Sequence, residues 1–241
     1  MKRLFLAGAH AGPCVVPEAA AHHLVDVLRM SEGDALEVFD GAGTTFPARI
    51  EQLDGETVML ALGEGRAAPA LRRVTIVQGL PKGDKLDWVL QKGTELGASA
   101  FSIAICERTV VKVEGKEAHK VARWQRIVEE AARQCGRADV PPVQPPLALE
   151  AAVRALAPGT RVYVLDESER ATTLSAAFLL AQPTDEVAVV IGPEGGLSRT
   201  EVDGLLTLHA VPVTLGRLVL RTETAALAAL AVLRHLDGAL G

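Results

Sequence analysis

The sequence has few cysteines, no long hydrophobic run and no N-terminal apolar stretch of the length that a secretory signal needs. Its three cysteines, Cys14, Cys106 and Cys135, are far apart and odd in number, so they indicate neither a disulfide framework nor a zinc site. The longest apolar run, 225–233, is too short and too rich in alanine to span a membrane. We therefore expect a cytoplasmic protein with no metal and no membrane anchor.

The net charge is also low, at −5 over 241 residues, which argues against nucleic-acid binding by the whole surface. Its distribution is uneven, because residues 1–70 carry five basic and ten acidic side chains whereas residues 71–241 balance. Within the latter, the stretch 108–137 has eight basic side chains against four glutamates. Two interpretations stay open: a solvated helix face with ion pairs, which is the commoner case, or a local basic track for a phosphate backbone.

Hydrophobic periodicity predicts two domains, 1–70 and 71–241. In the first, short alternating segments separated by turn signals predict a small, mostly β domain with one helix over His22–Met30, and 63–69 is predicted to be a linker. In the second, apolar strands alternate with helices, which predicts a mainly parallel sheet covered on both faces. Its predicted strands are Val74–Gln78, Ala100–Ile105, Val162–Leu165, Val187–Ile191 and Val211–Leu215. Its predicted helices are Lys85–Leu96, Glu117–Cys135, Leu149–Leu156, Ser198–His209 and Thr222–Leu236.

The segment Ile191-Gly-Pro-Glu-Gly-Gly-Leu-Ser-Arg-Thr-Glu201 leads from a buried strand through a glycine-rich loop into a helix. Ser198 followed by Glu201 predicts a capping box at the helix start. Such an arrangement exposes backbone amides to a ligand, and Gly195 and Gly196 have no side chain to keep a ligand away. The spacing fits neither a P-loop nor a dinucleotide fingerprint. We therefore expect a ligand-binding loop that is not a standard phosphate site.

A second segment, Leu215-Gly-Arg-Leu-Val-Leu-Arg-Thr-Glu-Thr-Ala225, also passes from a strand end through glycine to a helix, with Thr222 as the predicted N-cap. Both loops follow strands of one parallel sheet, so they should meet at the edge where ligands bind. Leu215, Leu218 and Leu220 could line an apolar slot for a flat aromatic group, or could be core. Arg221 and Glu223 could act chemically or form a local ion pair.

These two segments closely resemble the RsmE family of ribosomal RNA methyltransferases, which belongs to the SPOUT superfamily. Further matches run nearly from end to end of the chain. They are His23, Val27-Leu-Arg-Met30, Gly33-Asp34, Asp40-Gly41, Lys82, Lys85, Thr94-Glu-Leu-Gly97, Arg108, Trp124 and Gln134-Cys-Gly-Arg137. The resemblance implies a small PUA-like β-barrel domain followed by a knotted α/β methyltransferase domain whose C-terminal part is a trefoil knot. It also implies a homodimer.

The resemblance further implies methylation of uridine N3 in the 16S rRNA of the small ribosomal subunit, with S-adenosyl-L-methionine as the methyl donor. N3 carries a proton, so the enzyme needs a base near it or a cation that stabilises the charge on the ring oxygens. Glu223 is the candidate base and Arg221 the candidate charge stabiliser. The candidate cofactor-binding residues lie on three strand ends: Leu165, Ile191, Gly192, Glu194, Gly195, Gly196, Leu215, Gly216, Leu218 and Leu220.

Contact with RNA is expected at four cationic side chains: Arg3, Arg108, Lys112 and Arg137. Because the first domain is acidic, the RNA path is expected to use the basic stretch 108–137 as well. Two other functions stay open on the sequence. One is another SPOUT activity, such as ribose 2′-O-methylation, and the other is a non-catalytic rRNA-binding assembly protein with a vestigial cofactor pocket.

Overall fold

The computed structural model describes residues 2–54, 57–111 and 117–240. The chain divides into two compact units, the first formed by 1–70 with 132–140 and the second by 71–131 with 141–241. Each unit has its own sheet. The basic candidates Lys112 and Lys116 lie outside the described residues.

The first unit is built around a sheet in the order β1-β3-β4-β5-β2, with β6 paired to β4. Its strands are β1 (Arg3–Phe5), β2 (Gly12–Val15), β3 (Ala35–Phe39), β4 (Thr44–Asp54), β5 (Thr57–Leu62) and β6 (Arg66–Ala67). Alternate side chains such as Phe46, Ala48 and Ile50 of β4 are buried, as the two-residue periodicity predicts. The predicted linker 63–69 is wrong in part, because β6 pairs with Thr44 and Thr45.

The helical part of the first unit differs from the predicted bounds of His22–Met30. Helix α1 spans Glu18–His22, and a π-helical turn continues over His23–Val27. The helix begins early because Pro17 supplies the carbonyl that accepts the first N–H groups, and proline is favoured at this end of a helix. It ends before Arg29, whose positive φ of 51° is incompatible with a right-handed helix.

The second unit contains a sheet in the order β12-β10-β11-β7-β8-β9, and each of its described pairings is parallel. Its strands are β7 (Val74–Gly79), β8 (Ala100–Ile105), β9 (Val143–Ala148), β10 (Arg161–Leu165), β11 (Val187–Ile191) and β12 (Val211–Val213). All five residues of β11 are buried, as expected for a strand covered on both faces. The predicted α/β architecture is confirmed.

Two elements of the second unit were not predicted. Strand β9 contains Pro145 and Pro146, and two prolines argue against a strand except at a sheet edge, which is where β9 lies. Helix α5 (Leu174–Leu179) has six residues, too few to show a helical period. The other helices are α2 (Lys85–Glu95), α3 (Glu117–Cys135), α4 (Leu149–Arg154), α6 (Arg199–Thr207) and α7 (Thr222–Leu236).

Candidate functional site

A cavity of about 440 Å³ opens in the second unit at the carboxyl ends of β10, β11 and β12. We call it the strand-end cavity. Its walls come mainly from three segments: 165–170, 191–197 and 213–222. Ligands of open α/β sheets bind at this edge, because loops that follow neighbouring parallel strands meet there. Two of these segments are those that the sequence singles out.

The segment 192–198, which we call the glycine loop, is closed by the predicted capping box. The Ser198 Oγ accepts a hydrogen bond from the Glu201 N–H at 3.2 Å, and the Glu201 Oε2 accepts one from the Ser198 N–H at 2.8 Å. The Glu201 Oε1 accepts a third, from the Glu107 N–H at 2.7 Å. One carboxylate therefore fixes the end of the glycine loop and also holds the chain that follows β8.

Glycine at 192 is required by the packing of the loop on itself. A Cβ placed on Gly192 would lie 2.9 Å from the carbonyl carbon of Gly196 and from the amide nitrogen of Leu197. Gly196 has a φ of +67°, which a residue with a side chain rarely adopts. These glycines serve the internal fold of the loop as well as access by a ligand.

The glycine loop is flanked by two cations. The Arg108 Nη1 donates to the Gly195 carbonyl at 2.6 Å, and Arg108 lines the cavity. The Glu194 Oε1 accepts from Lys85 Nζ at 2.7 Å and from the Lys82 N–H at 3.0 Å. Partial burial disfavours the ionised form of Glu194, but the hydrogen bonds from Lys85 and from backbone N–H groups outweigh it and hold the pKa of Glu194 below its usual value.

The segment 214–221, which we call the leucine loop, forms the opposite wall. Leu215, Gly216, Leu218 and Leu220 all line the cavity. Leu218 is 81% exposed and Val219 is 72% exposed, so Leu218 is not a core residue. Strand β12 ends two residues earlier than predicted because the Thr214 Oγ1 accepts from the Gly216 N–H at 3.2 Å and turns the chain.

Arg221 and Glu223 differ in their position relative to the cavity. Arg221 lines it, whereas Glu223 is absent from its wall among the described residues, as is Gly195. In the described part of the chain no ion pair joins Arg221 to Glu223, so the structural alternative of a local pair is not realised. The Oε2 of Glu223 is buried and has no hydrogen-bond partner among the described residues.

Thr222 is not the N-cap that the sequence predicts. Helix α7 has Arg221 at its N-cap without a side-chain cap, and Thr222 is the first helical residue. The Thr222 hydroxyl instead donates to the Gly192 carbonyl at 2.6 Å and accepts from the Gln78 Nε2 at 2.8 Å. The prediction fails because the Gln78 Nε2 donates to the hydroxyl oxygen that an N-cap would offer to the N–H groups of its own helix. A buried glutamine in an apolar strand was the available signal for this contact.

The third wall follows β10 and was predicted only through Leu165. Asp166, Glu167 and Arg170 also line the cavity. The Asp166 Oδ1 accepts from the Ser168 N–H at 2.9 Å, and its Oδ2 lies 3.3 Å from Arg199 Nη1. A run of charged residues directly after a buried strand was the sequence signal for this wall.

The remaining candidates for RNA contact lie in the first unit and are engaged there. The Arg3 Nε pairs with the Glu37 Oε1 at 2.6 Å, and the Arg3 guanidinium stacks 4.8 Å from the Phe39 ring centroid. Arg137 pairs with Asp139 at 2.5 Å. The two arginine side chains are only 12% and 15% exposed. A structural role for both is therefore established, and their contact with RNA stays a prediction.

In the described residues, 2–54, 57–111 and 117–240, no three histidine, cysteine, aspartate or glutamate side chains cluster so that they could hold a metal ion. Within the same ranges, every helix is too short or too polar to cross a membrane.

Comparison with known proteins gives consistent results over both parts of the chain. Residues 68–234 match the family model of an RNA methyltransferase domain, and residues 16–62 match that of an RNA methyltransferase PUA domain. The chain is 37% identical over 223 residues to the ribosomal RNA small subunit methyltransferase E of Bacillus subtilis, covering 89% of this chain and 86% of that protein. Identity to the Synechocystis protein of that name is 34%, over 90% of this chain and 71% of the relative.

A solved structure extends the similarity to the fold. The ribosomal RNA small subunit methyltransferase E of Neisseria gonorrhoeae, crystallised with bound S-adenosyl methionine, superposes with a TM-score of 0.88 at 30% identity. The match covers 98% of each chain.

Proposed function

The chain belongs to the ribosomal RNA small subunit methyltransferase E family, and we propose that it methylates N3 of a uridine in 16S rRNA with S-adenosylmethionine as the methyl donor. The observation that carries the proposal is the strand-end cavity, whose walls are formed by the two loops on which the family resemblance rests. Its volume of about 440 Å³ lies in the range of small-molecule sites. The substrate is free 16S rRNA or the small ribosomal subunit.

We propose that the cofactor is held by backbone groups and apolar side chains. Leu215, Leu218 and Leu220 provide an apolar wall for the adenine, and Gly192 and Gly196 close on the ribose and methionine part. Glu194 contributes indirectly, because its carboxylate is occupied by Lys82 and Lys85 and fixes the glycine loop. Gly195 likewise acts through Arg108 rather than by direct contact.

The chemistry requires that N3 of the uridine lose its proton as the methyl group is transferred. We propose that Arg221, which lines the cavity, stabilises the negative charge on the uracil oxygens. Glu223 accepts the N3 proton. Its buried Oε2 has no hydrogen-bond donor among the described residues, and Glu223 does not line the described cavity wall, so this role requires that the carboxylate turn toward the cavity when the uridine binds.

Product analysis tests the proposed reaction. Purified protein, 16S rRNA and S-adenosylmethionine are incubated together, and the nucleosides of the digested RNA are identified by chromatography and mass spectrometry. We expect 3-methyluridine. A 2′-O-methylated nucleoside would instead support another SPOUT activity, and rRNA binding without any methylated product would support a non-catalytic assembly protein.

The two side-chain roles are tested by single-turnover methylation with saturating cofactor and RNA. Glu223→Gln and Arg221→Ala should each reduce the rate about 100-fold, because general-base and electrostatic groups contribute in this range. Cofactor titration and melting temperature serve as controls for binding and folding. Near-normal rates in both variants would reject these assignments.

We further infer a homodimer, because the exposed apolar side chain of Val219 borders a functional cavity and a second subunit would cover it. Light scattering should then give twice the chain mass of 25.4 kDa. We also propose that the C-terminal part of the second domain is the trefoil knot that the resemblance implies.

We propose that the predicted domain 1–70 contacts the RNA and that the predicted domain 71–241 transfers the methyl group. The PUA match supports an RNA-binding role for the first, and the basic stretch 108–137 adds to it. Because the rRNA substrate is made and assembled in the cytoplasm, that compartment is where we propose the protein acts.

A further inference from the structure

A chain of hydrogen bonds runs through buried polar groups beside the strand-end cavity. It starts at Gln78 in β7, which is fully buried, passes through the hydroxyl of Thr222, which is 6% exposed, and ends at the Gly192 carbonyl. We propose that Thr222 is a positioning residue that sets the distance between the glycine loop and the start of α7 for cofactor binding. This inference rests on the proposed function of the cavity.

The direction of the chain is fixed by the groups at its ends. The Gln78 Nε2 has two protons and donates one to the Gly79 carbonyl at 2.9 Å and the other to the Thr222 Oγ1 at 2.8 Å. Because a carbonyl can only accept, the amide nitrogen must face Gly79. Thr222 has a single proton, and with Gln78 donating to its oxygen that proton is directed to the Gly192 carbonyl at 2.6 Å.

The contact joins two walls that are far apart in sequence. Gly192 and Thr222 both line the cavity, and Arg221 directly precedes Thr222. The leucine loop, which leads into Thr222, is largely exposed. Its own packing therefore does little to fix where α7 begins. A hydroxyl that fixes the glycine loop and the end of the leucine loop in the free protein reduces the conformational entropy that is lost when the cofactor binds. We therefore expect cofactor affinity to depend on this one hydrogen-bonding group.

The test titrates S-adenosylmethionine into the full-length protein and compares two substitutions, one that keeps the shape of Thr222 and one that keeps its hydroxyl. Thr222→Val keeps the shape and removes the hydroxyl, and it should raise the Kd about tenfold, because buried carbonyl and amide groups lose their partner. Thr222→Ser keeps the hydroxyl and should retain most of the wild-type affinity for S-adenosylmethionine. A merely structural role would instead lower the binding stoichiometry or the melting temperature and leave the Kd of the folded protein unchanged.

A double-mutant cycle tests whether Gln78 acts through Thr222. Gln78→Met removes the donor and keeps a similar volume, so it should weaken binding on its own, and the double variant with Thr222→Val should bind no worse than Thr222→Val alone. Equal Kd values for wild type and Thr222→Val, or additive effects in the cycle, would overturn the inference. The titration needs no RNA, so a different methylated product would leave it intact, whereas wild-type protein that binds no cofactor would refute the proposed function as well.

Discussion

The two loops of the strand-end cavity have similar sequence signatures and different physical characters. The glycine loop is fixed by packing of Gly192 on Gly196 and Leu197, by the capping box, and by contacts with Lys85 and Arg108. The leucine loop is held by the turn at Thr214 and by Thr222 at its end, and leaves Leu218 and Val219 exposed. One wall is preformed, and the other has apolar surface to offer a ligand.

Because of this difference, substitutions in the two walls should differ in their effects on the free energy of unfolding and on cofactor affinity. A change in the glycine loop should disturb the fold and the cofactor site together, because its backbone is in van der Waals contact with itself. A change at an exposed leucine should alter binding while the stability of the free protein stays the same. Stability and affinity measured on the same variants therefore separate the two walls.

The largest effect is expected from Gly192→Ala. The added methyl group would lie 2.9 Å from backbone atoms of Gly196 and Leu197, which cannot move away without opening the loop. We expect a loss of about 3 kcal/mol in the free energy of unfolding, as for other overpacked sites, together with loss of measurable cofactor binding. Urea denaturation and calorimetric titration give the two quantities.

A matched control is available on the helix that follows the same loop. Gly204 lies within α6, and a Cβ there would meet nothing within 4 Å. Gly204→Ala should stabilise the protein by about 0.5–1 kcal/mol, because alanine favours the helix, and should leave cofactor affinity unchanged. If both alanine variants behaved alike, the close packing of the glycine loop would not be what makes Gly192 necessary.

A smaller effect is expected from Leu218→Ala in the leucine loop. Because Leu218 is 81% exposed, the free energy of unfolding should change by less than about 0.5 kcal/mol. The Kd for S-adenosylmethionine should rise about fivefold through loss of apolar contact. Leu180→Ala, at a side chain 78% exposed and absent from the described cavity wall, is the control and should change neither quantity. Equal cofactor affinity in the two variants would mean that the leucine loop is not a binding wall.

The smallest effect concerns the charge on Glu194. Its pKa is lower in the folded protein than in the unfolded chain, so its ionisation adds stability above the unfolded pKa, and this stability is lost as the pH falls through the folded value. Glu194→Gln should therefore flatten the acid side of the plot of melting temperature against pH below about pH 4.5, and at neutral pH should cost less than about 1 kcal/mol. If the melting temperatures of the variant and the wild type fell equally with pH below this value, the Lys85–Glu194 pair would not stabilise the glycine loop.

Local sequence signals predicted those parts of the fold and site that depend on neighbours in the chain. The burial of β11, the capping box of Ser198 and Glu201, and the meeting of two strand-end loops follow from periodicity and from turn chemistry. The second unit therefore has the predicted architecture.

Contacts between distant residues could not be predicted in this way. The hydroxyl oxygen of Thr222 was predicted to cap its own helix, whereas in the structure it accepts from Gln78 and its proton is donated to the Gly192 carbonyl. The sequence reveals neither of these two partners. Arg3 was predicted to contact RNA, yet its partner Glu37, 34 residues away in the chain, holds it within the first unit. In each case the competing partner becomes a neighbour only after folding.

Hydrogen–deuterium exchange with and without S-adenosylmethionine tests the central claim, that these two loops hold the cofactor. We predict slower amide exchange in both 192–198 and 214–222 when the cofactor is bound, with the larger change in the leucine loop, since the glycine loop is already ordered. The amides of residues 2–54 should be unaffected. Protection confined to one loop, or located away from both, would contradict the assignment of the strand-end cavity as the cofactor site.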